Sequence, residues 1–99
     1  MKSITIAWSD FALQSLEEII IWYEIEAGRK VADSIEARIF QSIEDIKIFP
    51  ARIPVSEIFP DTRKLIIKNL PYVAFIRQLS EDVLEVVDIV HTSRKLPNN

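Results

Sequence analysis

Residues 4–28 read ITIAWSDFALQSLEEIIIWYEIEAG, and the hydrophobic period changes once within them. From Lys2 to Trp8 the chain alternates, with Ile4, Ile6 and Trp8 on one side and Ser3, Thr5 and Ala7 on the other. That period of two is a strand pattern. Ser9 and Asp10 follow, and both suit a helix N-cap. Beyond them Ala12, Leu16, Ile19, Tyr23 and Ala27 recur at spacings of three and four, a stripe widened by Leu13 and Ile20. Glu17, Glu18 and Glu24 lie off the stripe and read as an exposed polar face. Gly28, the only glycine, fits the left-handed position that ends a helix. A strand therefore feeds directly into an amphipathic helix.

A second helix begins at once. Ala32, Ile35, Ile39, Ser42 or Ile43, and Ile46 keep helical spacing, and Pro50 ends the run because it lacks an amide hydrogen. Two helices joined by so short a spacer are expected to fold back as an antiparallel hairpin. From Ala51 to Asp61, with Pro54 and Pro60, there is no clean period, and the segment reads as an ordered connector. Three strands are predicted after it: Thr62–Lys68, Tyr72–Leu79 and Val83–His91. The intervening Asn69-Leu70-Pro71 and Ser80-Glu81-Asp82 are short enough for hairpins. The order β-α-α-β-β-β predicts an α+β fold: a helical hairpin packed on one face of a small, mostly antiparallel sheet.

Length and composition are consistent with that. The 99 residues allow a single domain over 1–99, with 48% apolar and 27% charged residues, as in an ordinary soluble globule. No uninterrupted apolar run exceeds that of Ile19–Tyr23, far short of the roughly 18 residues of a membrane span. The first residues do not read as a signal peptide, so no membrane association and a cytoplasmic location are expected. With no cysteine there is no disulfide or thiol chemistry. With one histidine there is no zinc motif, and with one glycine no phosphate-cradling loop, so no metal or cofactor is expected. A net charge of −3 argues against a general nucleic-acid binder. The balance is uneven: residues 1–50 carry five Lys/Arg against nine Asp/Glu, while 51–99 carry seven against six. An anionic partner is better served by the second half.

The closing stretch, VLEVVDIVHTSRKLP (83–97), runs an apolar strand into His91, followed by Arg94 and Lys95. His91 is the one side chain whose ordinary pKa lies near 7. It reads either as a strand-end histidine bonded to backbone or water, or as an acid–base group. By parity it shares a strand face with Val87 and Ile89. Arg77 alternates with apolar Val73, Phe75 and Leu79, so it either emerges at the sheet rim or pairs with an acid such as Asp88 or Glu85. Arg63, Lys64 and Lys68 read as a charged edge strand or as an anion-binding row. Trp22 and Tyr23 read as core or as partner contacts.

Taken in order, ITIAWSDFALQSLEEIIIWY, SIEDIKIFP, TRKLIIKNLPYVAFIRQ and VVDIVHTSRKLP resemble the RelE/ParE toxins of type II toxin–antitoxin pairs, also called plasmid-stabilisation proteins. The resemblance spans essentially the whole chain. PYVAFIR and VHTSRKLP bring it nearer the ParE branch than the RelE branch. It implies a toxin that causes growth arrest, held in a hetero-oligomer by a cognate antitoxin whose C-terminal segment wraps it. For ParE-type members it implies inhibition of DNA gyrase by binding, without bond chemistry. For RelE-type members it implies cleavage of mRNA in the ribosome, which would use Arg63, Arg77, His91 and Arg94. The expected surface for target or antitoxin comprises Arg63, Lys64, Arg77, His91, Arg94 and Lys95. The ribonucleases carry a denser basic cluster with a tyrosine or histidine near the C-terminus. Here only Lys95, Leu96, Pro97 and two asparagines follow Arg94.

Overall fold

The computed structural model describes residues 3–48 and 52–93. The elements follow the expected order: β1 (Thr5–Trp8), α1 (Asp10–Ala27), α2 (Arg29–Asp45), β2 (Thr62–Ile66), β3 (Tyr72–Ser80) and β4 (Val83–His91). The sheet order is β1-β4-β3-β2, with β1 parallel to β4 and the other pairs antiparallel. Pro50, expected to end α2, and Lys2, expected to open β1, lie outside the described residues.

Ser9 starts α1. Its extended backbone and its Oγ, which accepts the Ala12 amide at 3.0 Å, make it the N-cap. The same hydroxyl donates to the Val87 carbonyl at 2.6 Å, and the Ser9 amide donates to the Val86 carbonyl at 3.0 Å. One residue thus caps the helix and fixes it to β4 where β1 stops. At the other end Gly28 has the expected positive φ of 94°, but its ψ of 167° is extended rather than left-handed helical. The reason is that Gly28 serves both helices. Its amide donates to the Tyr23 and Glu24 carbonyls of α1, while its carbonyl accepts the Ala32 amide of α2. That backbone region belongs essentially to glycine.

The main core lies between the hairpin and one sheet face. α2 contributes Ala32, Ile35, Ile39 and Ile43, all buried, with Ile46 in the turn beyond it. α1 contributes Ala12 and Leu16, with Ile19, Ile20 and Tyr23 partly buried against the cluster. Ile4, Ile6 and Trp8 of the first strand segment pack on it as the alternation requires. Ala27 and Leu13, expected on the buried stripe, are exposed. β2 ends two residues earlier than expected, although Ile67 stays fully buried and its amide reaches the Tyr72 carbonyl.

The other sheet face carries a second, smaller cluster of Val73, Phe75 and Val90, covered by Ile58 and Phe59 from the connector. The connector first closes the outer edge of β2. Val55 bridges Arg63, the Ser56 amide donates to the Thr62 carbonyl, and the Lys64 amide donates to the Pro54 carbonyl. It then turns back over the sheet, so this face is only partly open and the β2 edge is protected from stray pairing.

β4 contains a bulge. Phe75 stands opposite Asp88 and Ile76 opposite Val86, which leaves Val87 without a partner on β3. The extra residue breaks the parity expected for His91. Ile89 belongs to the main core, while Val87 packs against the cluster on the opposite face.

Candidate functional site

The residues singled out from the sequence separate into two regions. Arg63 and Arg77 line one cavity of about 770 Å³ with Thr62, Gln78 and Leu84. Register sets their directions. Arg63 stands opposite Ile76, a main-core residue, so it leaves the sheet on the helix side. Arg77 stands opposite Thr62 and Glu85 and follows Val73 and Phe75 on the other side. Arg63 Nη1 donates to the Ile53 carbonyl at 2.7 Å, which ties the connector to the strand. Arg77 Nη2 lies 2.6 Å from Glu85 Oε1 while its side chain is 46% exposed. Both readings of Arg77 hold together: it emerges at the rim and pairs with an acid. So exposed a pair contributes about 0.5 kcal/mol. Asp88, the alternative acid, instead accepts from Ser15 Oγ at 2.7 Å and from the Ile89 amide at 2.8 Å. Lys64, opposite Phe75, is half-buried on the face that carries Arg77.

His91 belongs to the other region. It is the cross-strand partner of Tyr72, while Arg77 is the partner of Glu85. The two positions are five residue steps apart along β3, about 17 Å of extended chain. His91 Nδ1 accepts the Ser93 amide at 3.1 Å and sits 2.7 Å from Ser93 Oγ. This is the backbone-bonded arrangement of the two read from the sequence. Arg94 and Lys95 lie outside the described residues.

Around His91 the structure builds a cleft of about 410 Å³ between α1 and the joined ends of β3 and β4. The spacing of Ser15, Glu18, Ile19, Trp22 and Tyr23 puts them on one side of α1, facing Pro71, Tyr72, Ile89 and His91. The rings form a chain of edge contacts. Trp22 to Tyr23 is 4.9 Å between centroids, Tyr23 to Tyr72 is 6.5 Å, and Tyr72 to His91 is 5.3 Å. Sequence reasoning flagged Trp22, Tyr23 and His91 singly and missed Tyr72. The pairing of Tyr72 with His91 depends on strand register, which no local pattern prints.

Burial raises the Tyr72 phenol above its ordinary range, with a hydrogen bond and the charge of Tyr23 adding to the effect. An unfolded tyrosine ionises near pH 10, where folded Tyr72 keeps its proton. The unfolded state then binds fewer protons, so stability is full below pH 10 and falls as pH rises beyond it. Wild type is expected to lose up to about 1.4 kcal/mol per pH unit above pH 10 relative to Tyr72→Phe. Urea melts of both proteins from pH 8 to 11 check this; parallel curves would refute it.

Among the described residues no group of three His, Asp or Glu side chains is placed to hold a metal ion. Likewise no helix is long and apolar enough to cross a membrane.

The profile of a protein family described as "ParE toxin of type II toxin-antitoxin system, parDE" matches residues 6–96. No curated protein sequence matches the chain. Among solved structures, the chain is similar to one titled "Chromosomal ParDE TA system from P. aeruginosa". The TM-score is 0.79 at 18% sequence identity, over 91% of this chain and 97% of that one. That likeness concerns the fold, and its two-helix, four-stranded layout is the one described above. The family match covers the strand-to-helix opening, the hairpin, the connector and all three later strands, and the chain belongs to the ParE toxin family of type II toxin–antitoxin systems.

Proposed function

We propose that this ParE-family toxin acts by binding, with DNA gyrase as its target and a cognate antitoxin as its neutralising partner in the cytoplasm. The observation that carries the preference for binding over cleavage is the separation of His91 from Arg77 along β3. General acid–base catalysis requires the proton-transferring group and the charge-stabilising groups to meet at one reacting atom. Here the imidazole faces an aromatic cleft at one end of the sheet, and the arginines line a cavity at the other. The ribonuclease reading has no comparable support.

The antitoxin reading draws on the outside of the hairpin. Phe11, Trp22 and Ile25 of α1 are each more than half exposed, with Val31 and Phe40 of α2 partly so. Spacings of eleven and three put Phe11, Trp22 and Ile25 on one side of α1, and apolar side chains gathered so mark a place that another chain covers. Arg63, Lys64 and Arg77 in one region, and His91 in the other, continued in sequence by Arg94 and Lys95, are the residues proposed to contact target or antitoxin.

Purified toxin is expected to inhibit gyrase supercoiling in a dose-dependent way and to leave translated mRNA intact by primer extension. Full supercoiling at saturating toxin would refute the gyrase assignment. Codon-positioned breaks lost in His91→Ala would refute action by binding alone.

A further inference from the structure

The cleft at His91 has a chemistry of its own. Its walls are Trp22, Tyr23, Tyr72 and the His91 ring, and its polar groups are Glu18 and Ser15. Ser15 hands its hydroxyl hydrogen to the Asp88 carboxylate, which places a second acid one hydrogen bond behind the wall. Among the described residues no lysine or arginine lines it. The helix that forms one wall carries Asp10, Glu17, Glu18, Glu24 and Glu26 and no basic residue. Aromatic faces beside carboxylates attract a cation, and a flat guanidinium suits such a slot because it stacks on rings while bonding an acid at its edge. Arg63, Lys64 and Arg77 lie toward the opposite end of the sheet, so the helical side presents the opposite charge.

We propose that this cleft receives an arginine side chain of the antitoxin segment that covers the helical hairpin. The inference rests on the antitoxin reading above and deepens it: the segment over α1 is apolar and basic, with one arginine as its anchor. Acidic groups of the antitoxin, if they engage the toxin, do so at the β-strand arginines and not here.

The test uses the full chain and small probes. N-acetyl-arginine methylamide is titrated into 15N-labelled toxin, with N-acetyl-norleucine methylamide as the uncharged probe of similar length. The arginine probe is expected to shift the Trp22 indole and His91 ring signals saturably, and to bind about tenfold more tightly than the norleucine probe. Trp22→Ala, at a position 55% exposed and so outside the core, should weaken arginine-probe binding about tenfold. Glu18→Gln should weaken it several-fold and reduce its dependence on salt. Equal binding of the two probes, or no saturable shift, would overturn the cleft's assignment whatever the antitoxin does. A saturable arginine response, with a cognate antitoxin that binds wild type and Glu18→Gln equally well, would support the cleft chemistry and overturn the antitoxin's arginine as its occupant.

Discussion

Replacing Ile39 with alanine is expected to lower the unfolding free energy by about 2–5 kcal/mol, a large part of the stability of a small domain. Ile39 is 0% exposed, in the middle of α2, and belongs to the cluster that also holds Ile76 of β3 and Val86 of β4. Truncation removes three carbons from a site enclosed by helix and sheet, so the loss combines transfer free energy with the cost of an unfilled cavity. Ile39→Val removes one carbon and should cost about 0.5–1.5 kcal/mol. Val31→Ala, on the same helix at an exposed position, should fall within about 0.5 kcal/mol of wild type. Urea unfolding with a shared m-value provides the scale. A loss below about 1 kcal/mol for Ile39→Ala would mean that α2 does not bury this face against the sheet.

The ordering of those three variants was legible in the sequence, and the reason is local. Helical period alone put Ala32, Ile35, Ile39 and Ile46 on one side of α2, and all four are buried. Ser9 as cap and Gly28 at a positive φ followed from which residues satisfy helix ends. The adjacency of β2, β3 and β4 followed from hairpin spacing, though the place of β1 beside β4 did not, and β4 was bounded at both ends as expected. What stayed hidden depends on contacts between distant residues. The Val87 bulge arises where β1 stops pairing and Ser9 takes up the carbonyls of Val86 and Val87. No alternation within VLEVVDIVH shows it. The basic residues and His91 read as one set along the chain, whereas register puts His91 beside Tyr72 and Arg77 beside Glu85. The fate of the connector was equally invisible, because Ile58 and Phe59 bury against residues of β3 and β4, not against their own neighbours.

That connector sets up the second large effect. Phe75→Ala is expected to destabilise by about 3–5 kcal/mol even though its cluster is small, because Phe75 is 0% exposed and sits at the cluster's centre on β3. Its ring meets Phe59 edge-on at 4.8 Å between centroids and 83° between planes. Phe59 is held in place from behind. Ser56 Oγ accepts the Ile58 and Phe59 amides, and Thr62 Oγ1 donates to the Phe59 carbonyl at 2.7 Å. The connector therefore presents the ring as part of a small hydrogen-bonded turn, and the pair should act as one unit. Phe59→Ala alone should cost less than Phe75→Ala, since Phe59 is only half-buried. The double variant should cost less than the sum by about 0.5–1.5 kcal/mol, the share belonging to the aromatic contact. Hydrogen exchange gives an independent readout: in either single variant the Lys64 and Ser56 amides, which join the connector to β2 and to Thr62, should lose protection before the amides of β3. Strict additivity of the two costs, with unchanged protection at Lys64, would show that the connector lies on the sheet without clamping it.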